Sequence, residues 1–231
     1  MSRFSLRPHA VGACFLTVGR PPDWVQVFGS DGPLELEIGC GAGGFALEYC
    51  RRYAHLRYVA LEWRKRYARE VQHRAEKHGI SNLRVIEGDA RFIVARLFAP
   101  NSLDAIHIQF PDPWWKRAHH KRSLLQPNFI AVLHGCLKTG GYLDFRTDVE
   151  VRAQEGLAAL EAAGFVNPAG PGVFHTFDVD ELPSTRERRC LRAGGPVYRV
   201  RLLRGTSPSS VQKTSLRPSK KHQQYSKGYS L

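Results

Sequence analysis

The stretch LELEIGCGAGGFALEYCRRY, residues 34–53, decides the fold. Leu34, Leu36 and Ile38 alternate with other residues, which predicts a strand. The glycines that follow permit a tight turn in which backbone N–H groups can approach a ligand closely. Phe45 to Tyr53 then has the pattern of a helix. This succession of strand, glycine turn and helix is compatible with dinucleotide binding or with a packed corner between a strand and a helix.

The alternation of strands and helices continues along the chain. The pattern predicts strands at 34–38, 57–61, 82–86, 103–110, 142–146, 173–177 and 197–203, with helices at 64–78, 124–137 and 149–163. Repeated alternation is typical of an α/β fold with a doubly wound, mainly parallel sheet, here of seven strands. The predicted domain is 33–204. It is preceded by an arm, 1–32, whose Trp24 and Phe28 are expected to pack on the core, and followed by a tail, 205–231, too polar to pack.

Acidic residues stand beside the predicted strand ends. Glu37 precedes the glycine turn, Glu62 ends the second strand, and Asp89 follows the third. The carboxyl ends of parallel strands share one edge of a sheet, which is where ligands bind in open α/β folds. Glu62 is placed to accept hydrogen bonds from both hydroxyls of a ribose, and Asp89 to accept one from an adenine amino group. No P-loop lysine follows the glycines, which favours a nucleoside ligand over ATP or GTP.

Composition favours a polyanionic partner in a reducing compartment. The 231 residues carry a formal charge of +13. The tail, 205–231, contributes only five of these positive charges and no acids, so residues 1–204 carry 29 − 21 = +8 and are basic without it. The five cysteines are scattered and form no C-x-x-C pair, which argues against a disulfide framework and a zinc site. No segment is long and apolar enough for a membrane span. We therefore expect a cytoplasmic protein without a metal.

A second stretch, IHIQFPDPWWKRAHHKR at 106–122, places one acid beside two indoles and a dense cation cluster. Asp112 lies just past the fourth predicted strand, so it falls at the same sheet edge as the other acids. Trp114 and Trp115 can stack on a ligand or anchor the core. Three of the cations are expected to contact the phosphates of a polyanionic partner independently of its sequence: Arg117, Lys121 and Arg122.

These motifs together resemble a known family. The segment Glu37–Gly43, with Glu62 and Asp89, resembles the class I methyltransferases that use S-adenosylmethionine. The segments Phe110–Lys116 and His120–Arg122 narrow the resemblance to the bacterial tRNA (guanine-N7)-methyltransferases. Further matches are Thr147–Asp148, Glu187 and Gly194–Arg199, so the resemblance covers roughly residues 33–204.

The resemblance implies a Rossmann-like sheet whose last strand is antiparallel, and a substrate guanine in tRNA, the variable-loop guanine at tRNA position 46. S-adenosylmethionine would be the methyl donor and S-adenosylhomocysteine the product, in a monomer or a homodimer. The implied cofactor-binding residues are Glu37, Gly39, Gly41, Glu62, Asp89, Ala90 and Asp112. The implied substrate-binding residues are Lys116, Asp148, Ser184, Thr185, Arg186 and Glu187. Asp112 and Asp148 are the candidate catalytic residues beside the reacting centre.

One departure from the family's pattern concerns the late loop. The family has threonine and an aromatic residue where this chain has Ser184 and Arg186. Serine keeps a hydroxyl, whereas Arg186 can stack on a base or bind a phosphate. Two alternative functions stay open. One is methylation of an exocyclic amino group, since Pro111–Trp114 is close to an Asp/Asn-Pro-Pro-aromatic loop, and the other is a non-catalytic RNA-binding relative.

Overall fold

A computed structural model of the chain describes residues 20–112, 123–175 and 182–205. Within these ranges helices and strands alternate. The strands are β1 (Leu34–Ile38), β2 (Arg57–Glu62), β3 (Leu83–Glu87), β4 (Leu103–Gln109), β5 (Leu137–Thr147), β6 (Phe165–Val166) and β7 (Tyr198–Arg204). The helices are α1 (Trp24–Phe28), α2 (Gly44–Arg52), α3 (Lys65–Lys77), α4 (Ala90–Leu97), α5 (Pro127–Cys136), α6 (Glu150–Ala162) and α7 (Thr185–Arg192).

The seven strands form one sheet in the order β3-β2-β1-β4-β5-β7-β6. Strands β1 to β5 pair in parallel, and β7 runs antiparallel to both of its neighbours. This confirms the predicted doubly wound, mainly parallel sheet with an antiparallel last strand. The chain leaves the β3 edge and returns to the middle of the sheet at β4, so the strand order reverses between β1 and β4. That reversal opens a crevice at the carboxyl ends of the strands.

Both faces of the sheet are covered. One apolar cluster is centred on Leu36 and Ile106 and includes side chains of α4, α5 and α6. A second cluster lies on the opposite face and includes Phe45 of α2 and Val71 of α3. All five residues of β1 and all six of β2 are consequently buried. The residues at the carboxyl ends of β1 and β2 are therefore carried by fully buried strands.

The structure also anchors the segment that precedes β1. Trp24 is buried in α1, stacks on Phe98 at 5.3 Å between ring centroids, and donates from Nε1 to the Leu97 carbonyl at 3.0 Å. Phe28 packs against the same core, as the sequence predicted. Among the described helices, none combines the length and apolarity that crossing a bilayer requires.

The prediction of a strand at 173–177 is wrong in its described part. The sixth strand is instead β6, which pairs with the end of β7 immediately after α6 and Gly164. The backbone N–H of His175 donates to the Arg199 carbonyl, as in a strand pair. The backbone N–H of Arg201, however, donates to the ring Nδ1 of His175 and not to its carbonyl. The side chain thus takes the position of the next backbone bond, which interrupts the ladder. Residues 176 and 177 lie outside the described ranges.

Candidate active site

A cavity of about 490 Å³ opens at the carboxyl ends of β1 to β4. Its volume falls in the range of roughly 300–1,000 Å³ that is usual for small-molecule and cofactor sites. It is lined by Ile38, Gly39, Gly41, Leu61, Glu62, Trp63, Arg64, Tyr67, Gly88, Asp89, Ala90, Arg91, Gln109, Phe110, Pro111, Asp112 and Leu124. Six of the seven residues proposed from sequence for the cofactor therefore border one space.

The glycine turn forms one wall of the cavity and depends on left-handed backbone. Gly39 and Gly41 have φ of 83° and 54°, where a side chain would be strained. Gly43 has φ 72°, and a Cβ there would meet Val71 of α3 at 2.5 Å. The first two glycines therefore allow the chain to curve around a ligand, and Gly43 allows α3 to pack against the turn.

Glu62 is buried to 4 % exposure and is held by the turn that it faces. Its Oε2 accepts from Gly41 N at 2.8 Å, and its Oε1 accepts from Arg64 N at 2.8 Å. Each carboxylate oxygen keeps one lone pair for a further donor. The carboxylate is thus fixed before any ligand arrives, with two acceptor positions on the cavity side.

Asp89 begins α4 and is partly committed to it. Its side chain accepts from Arg91 N at 3.0 Å and forms an ion pair with the Arg91 guanidinium at 2.6 Å. The hydrogen bond from Arg91 holds the pKa of Asp89 below its usual value, so the carboxylate stays an acceptor. Ala90, the first residue of the helix, presents an apolar surface beside it.

Asp112 reaches the cavity because the chain turns sharply after β4. Phe110 has φ 50°, an unusual conformation for a bulky residue that costs on the order of 1–3 kcal/mol. Its backbone N–H still donates to the Arg146 carbonyl at 2.7 Å, which fixes the turn to β5. Asp112 lies 4.0 Å from the Arg64 guanidinium across the cavity mouth. Four residues proposed to bind substrate and phosphate lie outside the described residues: Lys116, Arg117, Lys121 and Arg122.

Glu37 does not line the cavity, although it was expected to. It lies within the sheet with 2 % exposure and accepts a hydrogen bond from the Tyr58 hydroxyl at 3.3 Å. Burial raises its pKa to about 7. The alternation in LELEI suggests a polar face toward solvent, but α2 covers that face, and the second acid, Glu35, pairs with His107 at 2.8 Å. Glu37 is therefore held inside the sheet and not at the cavity wall.

Replacing Glu37 with glutamine should flatten part of the pH dependence of stability. A carboxyl with a raised folded-state pKa contributes stability that is complete below its unfolded pKa near 4.5 and is lost as the pH rises through about 7. The free energy of unfolding of the wild type should thus fall relative to Glu37→Gln by roughly 3 kcal/mol at most between pH 4.5 and 7. Urea unfolding of both proteins at pH 5, 6 and 7.5 measures it, and a constant difference would contradict the buried titration.

A second cluster lies at the end of β5, beside the cavity but not lining it. The Arg186 guanidinium binds Asp148 through two nitrogens, at 2.9 and 3.2 Å. The same guanidinium lies over the Phe110 ring, 5.6 Å from its centroid. Since Phe110 borders the cavity, the two clusters meet at this ring. The structure thus brings Asp148 and Arg186 together at the cavity mouth.

The remaining residues of the proposed substrate loop begin α7, so this segment is a helix start and not a loop. Ser184 caps the helix by accepting from Glu187 N, and the Glu187 side chain accepts from Ser184 N at 3.1 Å. Glu187 is completely buried and pairs with Arg146 at 2.9 Å and with Arg199. Thr185 lies against Gly44, where even a Cβ would collide with its hydroxyl. In this structure, therefore, Ser184 and Glu187 organise the helix.

The capping box of α7 can be recognised from the sequence, whereas the ion pairs of Glu187 cannot. Ser-x-x-Glu before a helix is the pattern of a capping box, and Ser184 to Glu187 follow it. The ion pairs of Glu187 involve β5 and β7, which no local pattern reveals. Sequence reasoning also missed the cavity residues Trp63, Tyr67 and Gln109.

Solved structures of other proteins share this fold. An antibiotic-related methyltransferase matches with a TM-score of 0.57 and 17% identity, over 77% of this chain and 90% of that one. A 30S ribosomal A1408 methyltransferase from an uncultured bacterium matches with a TM-score of 0.54 and 12% identity, over 78% of this chain and 91% of that one. These matches show that the chain has the Rossmann-like fold of those proteins.

Sequence comparison is more specific. The family model described as "Putative methyltransferase" matches residues 31–200. A tRNA (guanine-N(7)-)-methyltransferase of Myxococcus xanthus is 62% identical over 88% of this chain and 99% of that protein. One from Anaeromyxobacter dehalogenans is 53% identical over 79% and 92%. The chain belongs to the tRNA (guanine-N(7)-)-methyltransferase family.

Proposed function

We propose that this protein transfers a methyl group from S-adenosylmethionine to N7 of a guanine in tRNA and releases S-adenosylhomocysteine. The observation that carries the proposal is the cavity at the strand reversal, bounded by the glycine turn and the fixed Glu62 carboxylate, in a chain that belongs to the tRNA (guanine-N(7)-)-methyltransferase family. By the resemblance of residues 110–122, the target is the variable-loop guanine at tRNA position 46. The tRNA substrate also favours a cytoplasmic location.

The described residues fit a nucleoside cofactor. The two remaining lone pairs of Glu62 suit the two ribose hydroxyls, and Asp89 with Ala90 offers an acceptor and an apolar contact for adenine. Gly39 and Gly41 leave room for close approach, because nothing stands within 4 Å of a Cβ at either position. Bound there, S-adenosylmethionine supplies an activated methyl group on a sulfonium.

The reaction asks little acid–base chemistry of the protein. Guanine N7 carries an exposed lone pair, so the base can act as nucleophile without first losing a proton. The N7–carbon bond forms as the sulfur–carbon bond breaks, and positive charge moves onto the guanine. Catalysis then rests on alignment and on carboxylates that stabilise this charge. Our candidates for that role are Asp112, which lines the cavity, and Asp148, whose partner Arg186 lies over the Phe110 ring.

For substrate binding we propose Lys116, Asp148, Thr185 and Arg186 as the groups that face guanine, with Ser184 and Glu187 holding the start of α7. Asp148 can accept from the Watson–Crick N–H groups of guanine, which adenine does not present in the same way. Arg186 would have to exchange its carboxylate partner for the RNA when the base enters, since it now occupies both Asp148 oxygens.

The first half of α3 extends the site toward the RNA backbone. Its exposed cations begin at the cavity mouth, and they are Arg64, Lys65, Arg66 and Arg69. We propose that these residues, with Arg117, Lys121 and Arg122, contact phosphates around the target base. We also propose that 33–204 is the catalytic unit, that the basic segment 205–231 assists RNA binding, and that the enzyme acts as a monomer or homodimer.

The decisive experiment uses an unmodified tRNA transcript and methyl-labelled S-adenosylmethionine. Wild-type protein should label the transcript, and reductive cleavage should cut it at position 46. A transcript with adenine at that position is the control and should stay unlabelled. Label on an exocyclic amino group would favour the alternative methyltransferase, and tight tRNA binding without any label would favour a non-catalytic RNA-binding relative.

A further inference from the structure

Gln109 is a buried polar side chain without a partner. It ends β4, is 8 % exposed, and borders the cavity. Neither Nε2 nor Oε1 of its amide has a hydrogen-bond partner among the described residues. Buried amides are almost always hydrogen-bonded, because leaving them unpaired is destabilising. Because Gln109 also borders the cavity, a ligand bound there is a candidate partner for this amide.

The strand order indicates which part of a ligand could do so. Ile108 is level with Ile38 of β1, so Gln109 is level with Gly39, the first glycine of the turn. Glu62 ends β2, on the far side of β1. Neighbouring strands lie about 4.8 Å apart, which separates β2 from β4 by roughly 10 Å. Seen from Glu62, Asp89 lies on the β3 side and Gln109 lies on the β4 side, in the opposite direction.

A nucleoside placed by its ribose at Glu62 thus has two directions available. Its base can extend toward Asp89 beside β3, and whatever is attached to its 5′ carbon then extends over the glycine turn toward β4. In S-adenosylmethionine that 5′ group is the methionine part, which ends in an ammonium and a carboxylate. An amide presents a donor and an acceptor side by side, and this suits such a pair of charges.

We propose that Gln109 is a cofactor-binding residue that hydrogen-bonds the amino-carboxylate end of S-adenosylmethionine. This inference rests on the proposed function. The guanine is a weaker candidate for the same amide because Asp148 and Arg186, proposed to face the base, do not line the cavity that contains Gln109. The amide selects for a complete methionine end and does not take part in the transfer of the methyl group.

The test compares two ligands that share adenine and ribose. S-adenosylhomocysteine has the amino-carboxylate end, and 5′-methylthioadenosine lacks it. In calorimetry without RNA, Gln109→Met should weaken S-adenosylhomocysteine binding about tenfold or more, as expected for lost hydrogen bonds to charged groups. It should leave methylthioadenosine binding within about twofold. The matched control Glu62→Gln should weaken both ligands.

Thermal unfolding without ligand provides a second readout. Gln109→Met, and Gln109→Leu as a second apolar variant, should be at least as stable as the wild type, since each removes an unpaired buried amide. Unchanged S-adenosylhomocysteine affinity, or an equal loss for both ligands, would overturn the inference, as would a normal cofactor affinity with weakened tRNA binding. A wild type that binds S-adenosylhomocysteine yet labels no tRNA would count against the proposed function alone.

Discussion

Replacing Glu187 with alanine is expected to destabilise the protein by about 3–5 kcal/mol, the loss that follows when one partner of a buried ion pair is removed. The change leaves the buried Arg146 guanidinium without one of its two carboxylates and also removes the pair with Arg199. The capping box of α7 is lost as well. Denaturant unfolding monitored by circular dichroism measures the effect.

The control is Glu150→Ala. Glu150 also lies in the first turn of a helix, but it is exposed, so its removal should change stability by less than about 1 kcal/mol. If Glu187 instead bound guanine directly, Glu187→Ala would abolish methylation while leaving the free energy of unfolding unchanged. That outcome would restore the role expected from the resemblance.

Replacing Glu62 with alanine is expected to weaken S-adenosylhomocysteine binding by about 100-fold or more. Two hydrogen bonds from ribose hydroxyls to a charged acceptor would be lost, at about 1.5–3 kcal/mol each. The glycine turn would also lose an acceptor, because Gly41 N and Arg64 N both donate to this carboxylate. Calorimetry with the nucleoside ligand and a tRNA binding titration without it measure the two affinities separately.

Binding of tRNA by Glu62→Ala should stay within about threefold of wild type, since Glu62 is buried beneath the turn. The control is Glu70→Ala, which removes an exposed acid of α3. Leu61→Ala is unsuitable as a control because Leu61 belongs to the core. A parallel loss of both affinities would show that Glu62 maintains the fold and would contradict its assignment to the ribose.

The parts of the molecule that sequence reasoning predicted are those whose signals are local. The glycine turn between 39 and 44 needs left-handed backbone, and hydrophobic periodicity marks the strands that meet there. The position of Glu62 at the cavity is predicted because it ends a parallel strand. These features fix the sheet and most of the cavity wall, because parallel strands bring their carboxyl ends to one edge.

The parts that were missed depend on partners far along the chain. Glu37 lies within the sheet because α2 covers its face and Tyr58 donates to it from β2. Residues 173–175 fail to form a strand because the His175 ring replaces a backbone acceptor. Gln109 is distinguished only by lacking a partner, which cannot be read from its neighbours in sequence.

The buried charges around Arg146 have a consequence for how the protein responds to ionic strength. Burial alone would raise the pKa of Asp144, yet the hydrogen bonds and charge of Arg146 hold it well below its usual range, so these groups remain ionised in the folded state. Mobile ions cannot enter to screen them, whereas contacts between exposed cations and phosphates weaken as salt is added. Concentrated salt should therefore detach the RNA while leaving β5, β7 and α7 assembled. The protein can release its substrate without loosening the frame that shapes the site.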